Sequence, residues 1–91
     1  MSSSQQDIID RARRDLAQRL STTETGIDLK LAEQTDFPDA ALGAPIEDEM
    51  SAQVITPGWR IRLQVNGKTY EYRASARQLR LFNLNGENYR I

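Results

Sequence analysis

Neither cysteine nor histidine occurs anywhere in the 91 residues. The first absence excludes a disulfide framework, a thiolate metal site and a cysteine nucleophile. The second removes the commonest general base and the commonest zinc ligand. Proline and glycine are sparse, at three and five residues, so each marks a particular turn or boundary, and no repeat or low-complexity segment extends beyond the serines at the start. No apolar run approaches the ~20 residues that span a bilayer. The Ser- and Gln-rich start lacks an apolar signal-peptide core, so a cytoplasmic location without membrane contact is expected. With 38% hydrophobic and 27% charged residues, the chain reads as one folded domain, 1–91, with a modest core.

What is present is best ordered between Val54 and Arg73. Two turn signals, Pro57-Gly58 and Asn66-Gly67, bracket a strictly alternating run. Asn-Gly between alternating segments marks a two-residue hairpin, because both turn residues must accept positive φ. Such a loop sets Val65, Leu63 and Ile61 opposite Lys68, Tyr70 and Tyr72, and Gln64, Arg62 and Arg60 opposite Thr69, Glu71 and Arg73. This single register separates apolar from polar residues without conflict.

Upstream, Ile9, Ala12, Leu16 and Leu20 recur at helical spacing behind Ser4 and Asp7, a capping residue and an acid at the positive end of the dipole. Asp7, Asp10 and Asp15 each precede an arginine by four positions, and Ser21-Thr22-Thr23 ends the pattern. A helix over about 4–20 is predicted. Strands are predicted at about 26–33, 51–56, 59–65, 68–73 and 79–83, with a long loop over 36–50 that holds two prolines and a run of acids. Asn85-Gly86 leaves two continuations open, a sixth short strand at 89–91 or a frayed tail. The expected architecture is α+β, one amino-terminal helix packed on a four- to five-stranded antiparallel sheet. In it Ile9, Leu16 and Leu20 meet Leu29, Val54, Ile61, Leu63 and Tyr72, with Trp59 and Tyr70 on the same side.

The formal charge of −1 conceals a division along the chain. Residues 1–20 sum to +1. Residues 21–50 set Lys30 against eight carboxylates, for −7, and residues 51–91 set seven cations against Glu71 and Glu87, for +5. Either the two halves pair with each other, or each faces a partner of opposite sign.

Three strings carry a family likeness: Asp36-Phe37-Pro38-Asp39-Ala40-Ala41-Leu42-Gly43-Ala44-Pro45, Gln53-Val54-Ile55-Thr56-Pro57-Gly58-Trp59-Arg60-Ile61, and Tyr70-Glu71-Tyr72-Arg73. Over about residues 12–82 the chain resembles an uncharacterised family of small bacterial, mostly cyanobacterial domains with a Trp/Phe-Pro-Asp-x-x-Leu-Gly-x-Pro segment followed by Gln-Val-x-Thr-Pro-Gly. The resemblance implies no activity. Phe37 stands where a Trp is expected and Ala44 where a Cys is expected, so a thiol-dependent role in relatives does not carry over.

Two surfaces are candidates for binding. The loop offers Asp36, Phe37, Asp39 and Leu42, with Glu47-Asp48-Glu49 as an acidic edge, for docking to a protein. The plainer alternative is that its aspartates cap turns and the loop covers an end of the sheet. Arg60, Arg62 and Arg73, with Arg80 beside them, share a sheet face that suits phosphates or an acidic partner. Against nucleic acid stand the cross-strand partner Glu71 and the aromatics, which fall on the other face. Asp36 with Asp39 is the one carboxylate pair to consider for acid–base chemistry, and neither they nor the other acids follow a calcium-loop pattern. The expectation is therefore a non-enzymatic protein-interaction module docking through 36–50, with a nucleic-acid-binding sheet face as the alternative. No catalytic residue, metal or cofactor is assigned. A monomer is expected, with weak pairing through an open edge strand as the route to a dimer.

Overall fold

The computed structural model describes residues 5–91. The helical spacing becomes α1, Gln5–Leu20, which buries Ile8, Ile9, Ala12, Leu16 and Ala17 along one side. The capping position expected at Ser4 lies outside the described residues. α1 stops because Ser21 turns into the left-handed region at φ 53°. The amides of Ser21 and Thr22 then donate to the carbonyls of Gln18 and Ala17, at 3.3 and 2.9 Å, which satisfies two of the helix's otherwise orphaned acceptors. Among the described residues no helix is long and apolar enough to cross a membrane.

A 3-10 turn, Glu24–Gly26, leads into five strands: β1 Asp28–Phe37, β2 Thr56–Val65, β3 Lys68–Ala74, β4 Leu79–Leu84 and β5 Glu87–Arg90. They form one antiparallel sheet in the order β1-β2-β3-β4-β5. The fold is thus α+β, one helix on a five-stranded antiparallel sheet. The β2–β3 register is the one read from Asn66-Gly67, from Val65 opposite Lys68 to Arg60 opposite Arg73, and both turn residues have positive φ, 51° and 79°. Asn85-Gly86 makes the same kind of turn, φ 54° and 87°, so the chain's end is a paired strand and neither frays from Tyr89 nor starts there.

The remaining boundaries differ for physical reasons. Residues 51–55 are not a strand, and the long connection runs from 38 to 55. The chain passes through Pro57-Gly58 without turning, because both lie inside β2, opposite Asp36 and Thr35. Pro57 is tolerated near the start of the strand, beyond the end of β3, where fewer ladder bonds are required of it. Gly58 is there for a close approach: a Cβ at that position would collide with the carbonyl of Ala74. β1 accordingly extends to Phe37 rather than ending at about 33.

Tyr72, Ile61, Leu63, Leu79 and Leu81 are enclosed beneath α1 together with Ile8, Leu16 and Ile27. Trp59, Tyr70 and Leu20 pack around them, partly buried, on the expected side. Two expected core members are corrected. Val54 is 52% exposed because it lies in the loop, and Leu29 is 38% exposed because it sits on the edge strand where a bulge at Lys30 breaks the register. A second bulge, with Asn83 at φ 55°, turns Leu84 rather than Asn83 toward the core.

One polar clasp fixes α1 to the sheet. The Tyr72 hydroxyl donates to Asp15 Oδ2 at 2.7 Å, and Arg19 Nε donates to the same oxygen at 2.7 Å. The Arg19 guanidinium lies 4.7 Å from the centre of the Tyr89 ring. Burial, together with the bond to Asp15, pushes the Tyr72 hydroxyl well above the usual phenol range, so it stays a donor.

Ile61 and Leu63 both have no solvent exposure. Replacing either by Ala is expected to cost about 2–5 kcal/mol through lost transfer free energy and a residual cavity. Urea unfolding of each variant measures this, and an unchanged midpoint for both would contradict the burial of this face.

Candidate functional site

The face of the sheet away from α1 carries Arg60, Arg62, Glu71, Arg73, Arg80 and Phe82, as the β2–β3–β4 register requires. It was expected to meet solvent. Instead the chain leaving β1 folds back across part of it, and Phe37, Ala41, Leu42 and Ala44 become buried there, apart from the helix-side core.

The way this segment is held follows from backbone chemistry. Irregular chain laid on a sheet carries carbonyls that water no longer reaches, and each needs a donor. Side chains of the β3–β5 region supply them. Gln78 Nε2 donates to the Ala40 carbonyl at 2.6 Å, and Arg73 Nη1 donates to those of Leu42 and Gly43, both at 3.1 Å. Arg80 Nη1 donates to the Ala44 carbonyl at 3.1 Å, and Asn88 Nδ2 to that of Pro45 at 2.8 Å. Leu42 and Gly43 are both left-handed, φ 61° and 67°, which aims their carbonyls at one guanidinium. A Cβ on Gly43 would crowd Arg73 Nη1, so glycine is needed there for space as well as conformation.

Asp39 organises the turn from within. Its Oδ1 accepts from the amides of Ala41 and Gly43, each at 3.0 Å, the side-chain mimicry of a turn that aspartate performs well. Farther along, the Glu49 carboxylate takes a two-pronged bond from Arg80 at 2.6 Å on each oxygen, while Oε1 also accepts from the Ile46 amide at 3.2 Å. Arg80 Nε is held by Gln78 Oε1 at 2.7 Å. At 2% exposure Arg80 is a buried cation, and burial is tolerable because both its charge and its donors are matched. The hydrogen bonds from Arg80 hold the Glu49 carboxyl down at about 2, from an ordinary 4.5.

The other arginines are also occupied. Arg62 Nε meets Glu71 Oε1 at 3.0 Å, Arg73 Nε meets Oε2 at 2.8 Å, and Arg60 Nε stands 3.6 Å from Oε2 while its Nη1 reaches Glu33 at 3.1 Å. The Arg73 guanidinium lies 3.7 Å from the centre of the Phe82 ring and 5.7 Å from that of Phe37, in the range of cation–π attraction.

The seven residues read as candidate contacts are thus separated by the structure. Phe37 and Leu42 are buried, Asp39 is spent on its own turn, and Arg73 is an anchor for the loop. Arg60 and Arg62 share Glu71 and remain partly exposed. Asp36 is exposed on the opposite side of β1 from Phe37, where it lines a groove with Gln34, Pro57 and Trp59. Asp36 and Asp39 therefore do not form a carboxylate pair. Gln78, Arg80, Glu49 and Asn88 were not singled out as anchors, because each is an ordinary polar residue whose partner lies more than 25 positions away.

The Glu49–Arg80 pair gives a pH dependence of definite sign. A carboxyl lowered on folding contributes stability that is fully present above about 4.5 and is lost as pH falls through that value toward about 2. Glu49→Gln should therefore lower the urea midpoint at pH 7, with the deficit shrinking steadily between pH 5 and pH 2.5. A deficit that is constant across this range would exclude the ion pair as its origin. Arg80→Ala, which strands Glu49 and the Ala44 carbonyl, is expected to cost roughly 3 kcal/mol at neutral pH.

No curated protein and no solved structure matches the chain. A family model described as Domain of unknown function (DUF8738) matches residues 9–82, which takes in α1 from Ile9 onward, the anchored loop and the sheet as far as Phe82. The chain belongs to that family.

Proposed function

We propose that the chain is a non-enzymatic protein-interaction module, and that its recognition element is the returning limb of the loop. The docking surface shifts with the geometry. The limb 36–45, one of the three strings that carry the resemblance to small, mostly cyanobacterial domains, is spent on anchoring. The limb after Glu49 is what the anchoring displays. Met50, Val54 and Ile55 are 98%, 52% and 70% exposed, three large apolar side chains within six residues. That cluster carries the reading, since exposed apolar patches rimmed by charge are a common mark of protein contact sites. The rim is acidic, with Glu47 and Asp48 exposed beside it. The limb is pinned at two points, where Glu49 meets Arg80 and where the Ala52 carbonyl accepts from the Ala40 amide at 3.0 Å, so less order is lost when a partner binds. The partner is a protein with an apolar contact surface flanked by basic residues, met in a bacterial cytoplasm.

A nucleic-acid-binding sheet face has less to support it. That function needs free guanidinium groups tracking a backbone, whereas Arg60, Arg62, Arg73 and Arg80 have carboxylates or carbonyls at hand.

A photo-reactive amino acid placed at Val54 in the source cell tests the reading, with the same residue at Gln18 on the outer side of α1 as control. A discrete cross-linked protein from position 54, absent from position 18, is the expected result. Cross-linking from both positions alike, or from neither, would remove the loop as the recognition element.

A further inference from the structure

β1 is the first strand of the sheet, and among the described residues one side of it has no strand neighbour. Its bulge is confined to the start, at Lys30, and from Leu31 to Phe37 it pairs with β2 without interruption. A regular edge of this kind offers a row of backbone donors and acceptors to an incoming extended segment. At the far end of this edge, a groove of about 490 Å³ opens between Gln34, Asp36, Pro57, Trp59 and Ala76. Its walls differ in chemistry. Trp59 supplies an indole that is only partly buried against the core, and Asp36 supplies an exposed carboxylate with no ion pair among the described residues. A carboxylate beside an aromatic surface suits a cation on an apolar stem, the shape of a lysine or arginine side chain.

We infer that the open edge of β1 takes up an extended basic peptide as a further strand, one lysine or arginine of which enters the groove between Trp59 and Asp36. The inference rests on the reading of the chain as a protein-interaction module and names the partner's contact segment. Alternate side chains of an added strand point to one face of the sheet, so one residue reaches the groove while its neighbours face the Glu33 side. The charge of the edge strand favours a basic partner, because β1 carries Asp28, Glu33 and Asp36 against Lys30 alone. A second copy of this chain fits less well. Antiparallel pairing of two β1 strands that sets Lys30 opposite Asp36 also sets Glu33 opposite its own copy, and like charges placed directly opposite destabilise a sheet.

Trp59 is the sole tryptophan, so its fluorescence reports on the groove directly. The probes are ten-residue peptides of alternating threonine and valine with a central arginine, glutamate, or N-methylated arginine. Saturable change in Trp59 emission with the arginine peptide is expected, at least tenfold weaker with the glutamate peptide and lost on N-methylation. Asp36→Asn should weaken the arginine peptide about tenfold while leaving thermal unfolding unchanged. Equal binding of arginine and glutamate peptides, no effect of Asp36→Asn, or no saturable change at all would overturn the proposal. So would a concentration-dependent dimer in sedimentation that the arginine peptide fails to dissociate. A failed peptide titration beside selective cross-linking from position 54 would leave the interaction module standing and remove only the edge.

Discussion

The capture of the 38–55 segment by side chains of the sheet is the constraint on which the other features turn. A strand order of β1-β2-β3-β4-β5 needs a connection from the end of β1 to the start of β2, and these ends are neighbours. A short turn would have sufficed. The chain instead spends eighteen residues there, and backbone without regular structure must find partners wherever it is removed from water. Gln78, Arg73, Arg80 and Asn88 meet the carbonyls of Ala40, Leu42, Gly43, Ala44 and Pro45. Small residues make this possible, since Ala41 and Ala44 have no exposure and Gly43 has no room for a side chain. The sheet is therefore covered by apolar packing under α1 and, over part of its other face, by a loop that buries Phe37 and Leu42 and is tied down by guanidinium groups.

That division explains which parts of the structure were legible in the sequence. The β2–β3 hairpin was, because Asn66-Gly67 fixes a register and the alternation on either side agrees with it. The helix and the side on which Trp59, Tyr70 and Tyr72 lie followed from periodicity alone. The beginning of β2 was not legible. Pro57-Gly58 is a turn signal locally, and only the nearby Ala74 carbonyl, sixteen residues on, reveals that Gly58 serves a close approach within a strand. Leu29 and Val54 misled for a related reason. Both fit an apolar alternation, yet an edge position with a bulge and a loop position leave them exposed. The arginines illustrate the same limit at the candidate site. Their shared face was readable from alternation, whereas their partners were not, because hydrogen bonds from Arg73 to Leu42 and Gly43 and from Arg80 to Ala44 and Glu49 join residues about thirty positions apart.

The charge division acquires a structural meaning as well. The acidic stretch 21–50 and the basic stretch 51–91 are joined by Glu33 with Arg60 and by Glu49 with Arg80. These pairs differ in weight. Glu33 is nearly half exposed and its pair with Arg60 is screened by water, so it contributes little. Arg80 is almost fully enclosed, and losing Glu49 would leave a buried cation without its counter-charge. One ion pair is thus a structural lock and the other a surface adjustment, although the sequence offers no way to rank them.

Anchoring one limb of the loop has a consequence for the other. A free loop that displayed Met50, Val54 and Ile55 would fold those side chains onto itself or associate with other chains without selectivity. Held at Glu49 and at Ala52, the limb cannot reach the core beneath α1, and the space on the sheet's second face beneath the loop is already filled by Phe37, Leu42 and Ala44. The exposed apolar cluster is therefore a result of the same bonds that bury the first limb. Neighbouring it along the chain, Pro57 and Trp59 open onto the groove that Asp36 lines from the edge strand. Apolar contact, a carboxylate and an unpaired strand edge thus gather around the junction of β1 and β2. That junction is held in place from below by Phe37, packed against Arg73, so the proposed contact surfaces and the anchor share one piece of backbone.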